Sequence, residues 1–186
     1  MTRILGISGS LRRASYNTKL LRAARELLPA DVELIIFDGL EDVPPYNEDR
    51  DNAEAPLGAL RLREAIARAD AVLFATPEYN GSVPGQLKNA VDWASRPHRS
   101  AVLWGKPVAV IGASSGMYGA VWAQADLRKA LGVAGGRVAE AEVAVGRASS
   151  RFDGDGRLVD EELREELRQA LDALVADAAP AELVAA

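Results

Sequence analysis

The chain contains no cysteine and a single histidine, His98. Without thiols it can form no disulfide, present no thiolate nucleophile and bind no metal through sulfur. One imidazole is too few for the histidine-rich sites that hold zinc or iron. Aromatic residues are sparse, at 5% of the chain. No apolar run approaches the roughly 20 residues that a membrane-spanning helix requires. The first residues pass straight into a strand pattern with no basic, apolar leader, so the expectation is a cytoplasmic protein without a membrane partner. Positive charge is in deficit: 22 Lys and Arg face 27 Asp and Glu, a net charge of −5. That balance argues against a nucleic-acid binder, which needs a basic face. Asn80-Gly81-Ser82 has the form of a glycosylation sequon, which means nothing without a secretion signal.

What is present is an ordinary globular composition, 48% apolar over 186 residues. That length suits one domain with a substantial core. The expected domain spans residues 1–178, with a disordered tail over 179–186. No repeat or interdomain linker interrupts it.

Strand and helix patterns alternate along the chain, the signature of a parallel sheet covered on both faces. Arg3-Ile4-Leu5-Gly6-Ile7 predicts a buried strand, and Leu20, Leu21, Ala24, Leu27 and Leu28 share one face of a following helix. Val32 to Phe37 predicts a second strand. Asp38 to Pro56, acidic and rich in proline, predicts a surface excursion of a length that is often functional. Leu57 to Arg68 predicts a helix, Ala71 to Thr76 a strand, Gly85 to Trp93 a helix and Lys106 to Ala113 a strand. A turn over Ser114 to Gly119 then leads into a helix from Ala120 to Leu131. A fifth strand is expected between Arg137 and Val145, and a charged amphipathic helix from Val159 to Ala176. The fold class is therefore α/β, a doubly wound five-stranded parallel sheet with helices on both faces. In such sheets ligands sit beyond the carboxyl ends of the strands. The polar loops 8–18, 77–84 and 114–119 follow strands one, three and four, so all three share that edge.

The first loop, Ser8 to Thr18, is rich in hydroxyls and carries Arg12 and Arg13. Orphan N–H groups at a helix start attract a phosphate. Ser10, Ser15, Asn17 and Thr18 supply donors, and Arg12 a neutralising charge. The alternative is a simple capped helix start, with Ser15 or Asn17 as N-cap and solvated arginines. In the second loop, Pro77 and Pro84 restrain a backbone that can present its polar groups to a flat heterocycle, and Tyr79 can stack on a ring. The third loop, Gly112-Ala113-Ser114-Ser115-Gly116, fits the nucleophile-elbow pattern. That chemistry needs a histidine later in the chain, and His98 precedes Ser114, so a hydrolase is disfavoured. No dinucleotide fingerprint or Walker motif occurs. Asp153-Gly154-Asp155-Gly156-Arg157 departs from a calcium loop at Arg157 and reads as a turn. Glu161, Glu162, Glu165 and Glu166 read as a solvated helix face.

Together these loops resemble the NADPH-dependent FMN reductase family of flavodoxin-like proteins, which includes quinone, azo-dye and chromate reductases. Gly9-Ser10-Leu11-Arg12 with Ser15 and Asn17 is similar to the family's phosphate loop. Pro77-Glu78-Tyr79-Asn80-Gly81-Ser82-Val83-Pro84-Gly85, with Leu87-Lys88-Asn89 and Asp92-Trp93, is similar to its long ring-binding segment. Gly105-Lys106-Pro107-Val108 and the Ser114 to Gly119 turn resemble its fourth strand and glycine-containing loop. The resemblance weakens after about Val145. Gly81 stands where relatives carry a larger side chain, and the Asp38 to Pro56 excursion matches no family motif.

The resemblance implies a flavodoxin-like fold with FMN as cofactor and NADPH or NADH as co-substrate. It implies that Ser10, Arg12, Ser15, Tyr16, Asn17 and Thr18 surround the phosphate. Pro77, Glu78, Tyr79, Asn80 and Gly81 would line the isoalloxazine, with Ser114, Ser115 and Gly116 at its far edge. Met117 and Tyr118 either cover the flavin or pack the loop. It further implies hydride transfer from NAD(P)H through FMN to quinones, azo compounds or similar small-molecule acceptors, in a homodimer or homotetramer. Two rivals remain at this stage: a flavodoxin-type electron carrier that does not oxidise NAD(P)H, and a flavin-free phosphate-binding module.

Overall fold

Aliphatic runs without polar alternation form strands that are buried on both faces. In the computed structural model, which describes residues 1–179, these runs become β1 (Thr2–Ser8), β2 (Val32–Ile36), β3 (Ala71–Thr76) and β4 (Pro107–Ala113). Two short strands, β5 (Arg137–Val138) and β6 (Ala144–Val145), follow. The helices are α1 (Tyr16–Leu27), α2 (Leu57–Arg68), α3 (Gly85–Ala94), α4 (Val121–Val133) and α5 (Glu161–Ala178). All strand pairs are parallel, in the order β2-β1-β3-β4-β5, with β6 also pairing to β4. This is the flavodoxin-like winding, which reverses between β1 and β3. The tail expected over 179–186 lies, from residue 180 on, outside the described residues.

Successive side chains of a strand face opposite sides of the sheet, which builds two cores. Ile4, Leu73, Ala75, Ala109 and Ile111 meet Leu20 and Leu21 of α1 and Leu167 and Leu171 of α5. Leu5, Val72, Phe74, Val108 and Val110 meet Leu62, Leu87, Trp93 and Leu127 from α2, α3 and α4. Each fully buried aliphatic side chain of this kind contributes about 1.5–3 kcal/mol. Among the described residues, no helix is long and apolar enough to cross a membrane.

Three local expectations take a different form. The single fifth strand is two segments, because Ala139 N donates to Val108 O at 2.8 Å and Gly112 N to Val143 O at 2.9 Å, while residues 140–142 leave the sheet between them. The Arg128 guanidinium holds that detour by donating to Ala141 O at 2.8 Å. The last helix starts at Glu161, not Val159, because Asp160 is its N-cap and accepts from Leu163 N at 3.1 Å. The 38–56 excursion runs over the surface as expected, but it is pinned to the helices beneath it. Leu40, Val43 and Ala55 are buried, side chains of α3 hold its backbone, and arginines of α2 hold its carboxylates.

The holding contacts are specific. Gln86 donates to Leu40 O and Val43 O, Asn89 donates to Pro44 O at 2.8 Å, and Trp93 Nε1 donates to Pro44 O at 2.7 Å. Arg63 grips Asp51 with two bonds of 2.7 and 2.8 Å, and its Nε donates to Trp93 O at 2.9 Å. The Asp51 side chain is only 11% exposed. Hydrogen bonding from Arg63 holds its carboxyl below the ordinary range against the opposing effect of burial. The unfolded chain therefore binds this proton more tightly than the folded one. The pair's contribution is complete above the ordinary carboxylate pKa and is lost as pH falls through the depressed folded value.

Asp51→Asn is expected to lower unfolding free energy at pH 7 by about 1–3 kcal/mol, because it leaves the Arg63 charge poorly paired. The difference from the unmutated chain should shrink as the pH is lowered towards 3. Urea titrations at both pH values measure it.

Candidate functional site

The loops after β1, β3 and β4 meet at the carboxyl edge of the sheet, where the sequence puts them. The first leaves β1 with Gly9 N donating to Ala75 O at 2.8 Å. Ser15 is the N-cap of α1, its Oγ accepting from Thr18 N at 3.2 Å, so of the two candidate caps Ser15 takes the role. The first amides of a helix have no intrahelical acceptor, and this helix start is therefore a donor site. No carboxylate occurs between Ser8 and Thr18. Arg12, exposed, donates from Nη2 to Ala14 O at 3.0 Å, and its guanidinium lies 5.5 Å from the Tyr16 ring centre. Tyr16 stacks on Phe152 at 5.8 Å, which steadies that side of the loop.

Asn17 takes a role that local spacing does not suggest. It is buried, and its amide spends both ends on β4: Nδ2 donates to Ala113 O and Oδ1 accepts from Ala113 N, each at 2.9 Å. The sequence assigned this side chain to a phosphate. The structure uses it to fasten the first loop to the third. Thr18 likewise turns inward, with Oγ1 donating to Ser8 Oγ at 3.0 Å.

In the second loop, Tyr79 and Ser82 exchange backbone bonds of 3.1 and 3.2 Å around Asn80 and Gly81. Both central residues have positive φ, 54° and 73°, the geometry of an Asn-Gly turn of type I′. Glycine at 81 relieves strain that a larger residue would carry there. Glu78 crosses to α4, where Oε2 accepts from Trp122 N at 3.1 Å and Ala123 N at 3.2 Å. Its carboxylate is thus engaged with a helix end.

The third loop rests on the segment after β6. Ser114 N donates to Val145 O at 3.0 Å, Ala148 N to Ser114 O at 3.0 Å and Arg147 N to Gly116 O at 2.7 Å. Gly119, at φ 60°, lies so close that an added Cβ would sit 2.4 Å from the Ala144 carbonyl carbon. The Ser114 hydroxyl accepts from Gly116 N at 3.1 Å. His98 stacks edge-on against Trp104 and lines a different groove from Ser114, so no serine–histidine pair forms.

The three loops enclose a cleft of about 200 Å³. Ser10, Arg12, Tyr16 and Asn17 line it from the first loop, Pro77, Glu78 and Tyr79 from the second, and Ser114 and Ser115 from the third. Ala113 completes the wall. It went unnoticed in the sequence because a small apolar residue ending a strand carries no chemical signal. Ser15, Thr18, Asn80, Gly81 and Gly116 stand back from the cleft and shape the loops behind it. One end is cationic and donor-rich, as a phosphate requires, and the other is flanked by an aromatic ring and backbone, as a flat heterocycle requires. The residues present therefore fit a mononucleotide of the FMN type.

Asn17→Ala strands the Ala113 N–H and C=O away from water. It is expected to cost about 2–3 kcal/mol in urea unfolding. Gly119→Ala is expected to destabilise by at least as much, because both its φ and its space are refused.

Comparison with known proteins follows the same lines. Residues 2–150 match the family of NADPH-dependent FMN reductases. An NAD(P)H-dependent FMN reductase of Pseudomonas aeruginosa is 45% identical over 173 residues, 92% of either chain. A 2-hydroxy-1,4-benzoquinone reductase of a Burkholderia species is 40% identical over 174 residues, covering 91% of this chain and 92% of the relative. Among solved structures, the flavoenzyme NAD(P)H:(acceptor) oxidoreductase FerB from Paracoccus denitrificans superposes with a TM-score of 0.86 at 38% identity, covering 96% of this chain and 97% of that one. The chain belongs to the NADPH-dependent FMN reductase family.

Proposed function

We propose that the protein is an FMN-dependent oxidoreductase that takes hydride from NAD(P)H and delivers electrons to quinones, azo compounds or related small acceptors. The observation that carries this reading is the convergence of an acid-free, donor-rich helix start and an aromatic turn on one cleft at the winding reversal. Bound FMN would supply the hydride-accepting and electron-donating chemistry. The chain's own residues would bind and orient it. Ser10 and the first amides of α1, set in place by the Ser15 cap, would hold the phosphate, with Arg12 neutralising its charge. Tyr79 and the backbone of residues 77–80 would flank the ring, and Ser114 and Ser115 would border its far edge. The Glu78 carboxylate and the Ser114 hydroxyl are engaged by backbone amides, so no side-chain acid or base is assigned a proton.

The working unit we propose is a cytoplasmic homodimer or homotetramer of one flavin-binding domain spanning residues 1–178. A groove of about 740 Å³ between α3 and α4 supports the assembly. Val91, Ala130 and Val133 floor it, and Lys88, Asp92, Asp126 and Lys129 rim it with both charge signs. A surface of mixed sign can oppose itself across a two-fold axis.

Purified protein supplied with FMN, NADPH or NADH and a panel of quinones and azo dyes is expected to consume nicotinamide only when flavin is present. Flavin that neither nicotinamide reduces in stopped flow would instead identify an electron carrier. Arg12→Ala combined with Ser10→Ala should weaken FMN binding by about 100-fold, the equivalent of two charge-assisted hydrogen bonds. Light scattering should return a mass of two or four chains; a single-chain mass would refute the assembly.

A further inference from the structure

Helix α4 begins without a cap of its own. Ala120 precedes it in a left-handed conformation with no side-chain cap bond, and its first turn holds no acidic residue. The missing acceptor comes from 44 residues away, where Glu78 Oε2 takes the N–H groups of Trp122 and Ala123 at 3.1 and 3.2 Å. A carboxylate there also meets the positive end of the helix dipole. One turn further along α4, Asp126 Oδ2 accepts from Ser82 Oγ at 2.6 Å. Glu78 and Ser82 are the residues on either foot of the tight turn whose tip is Asn80-Gly81. The turn that carries Tyr79 into the cleft is therefore fastened to α4 at both feet. Through α4 it is coupled to the third loop, which ends at the same helix start.

We infer that Glu78 and Ser82 are positioning residues for the flavin. Their clasp on α4 sets the separation between the Tyr79 turn and the other two loops, and so the fit around the ring. Tyr79 itself is 54% exposed, so packing of its own ring does little to fix it and the fastened backbone does the fixing. Helix propensity alone does not call for a carboxylate at 78, and a loop without the clasp would have to be ordered at each binding event. That ordering is a cost that preorganisation removes from affinity. Groups close to the ring also tune its electronics, so a displaced turn changes the redox potential as well as the affinity. The inference rests on the flavin reading proposed above.

The test compares the unmutated chain with Glu78→Ala, Glu78→Gln, Ser82→Ala and Asp126→Ala, reading FMN affinity by fluorescence quenching and the midpoint potential of bound flavin. Glu78→Ala should weaken FMN binding about tenfold and shift the potential, in keeping with lost preorganisation. Glu78→Gln keeps an oxygen that accepts both N–H groups and should stay within about twofold of the unmutated chain. Ser82→Ala and Asp126→Ala should each weaken binding by about threefold, and their double variant by no more than either alone, because both remove one bond. These two variants carry the test if Glu78→Ala fails to fold. Unchanged affinity and potential in Glu78→Ala, or equal loss in Glu78→Gln, would overturn the inference while leaving the flavin reading intact. A chain that takes up no FMN before mutation would overturn both.

Discussion

The bond pair between Asn17 and Ala113 is the constraint on which the site depends. The two residues lie 96 positions apart in the chain, and both hydrogen bonds are buried. An asparagine amide has one acceptor end and one donor end, and here both are matched by one peptide group. That match does what a further strand pairing would do at Ala113, the last residue of β4. It brings the helix start of the first loop against the third loop, and the cleft is the space left between them. Burial enforces the arrangement, because neither Ala113 group has water as a substitute partner.

The second loop is organised on the same plan by different chemistry. Its tight turn fixes local shape through two residues with positive φ. Its orientation comes from a carboxylate and a hydroxyl reaching α4. The third loop is held chiefly by backbone bonds to β6 and the residues after it, at a contact too close for any side chain at Gly119. Three loops with three modes of attachment thus converge on one rigid sheet edge. Such an edge suits a cofactor that carries its own reactivity, since the protein's task is to hold and orient it. The 38–56 excursion extends the same logic on the far side of α3. Its backbone is fixed by Gln86, Asn89 and Trp93, so these side chains of the long family-like segment join α3 to the excursion.

Much of this was legible in the residues. α2 and β3 have the bounds their periodicity predicts, because long apolar patterns report local geometry directly. The three-loop edge followed from strand order, and the capped helix start after β1 from its hydroxyl-rich loop. Three features escaped, each for a physical reason. The edge strand divides because hydrogen-bond register with β4, not composition, decides where residues 140–142 leave the sheet. The anchoring of the excursion escaped because acidic and proline residues dominate it, while two buried aliphatics, Leu40 and Val43, fix it to the core. The partners of Asn17 and Glu78 within the chain escaped because spacing gives residue types but not contacts 96 or 44 positions away.

The central claim is that the start of α1 is a phosphate seat, and phosphorus NMR of the FMN complex tests it most directly. A free phosphate monoester titrates with a second pKa of about 6. Held by helix amides, hydroxyls and Arg12, the bound phosphate should remain dianionic, with a chemical shift that does not move between about pH 5.5 and 8. A bound resonance that titrates as the free cofactor does would contradict the account.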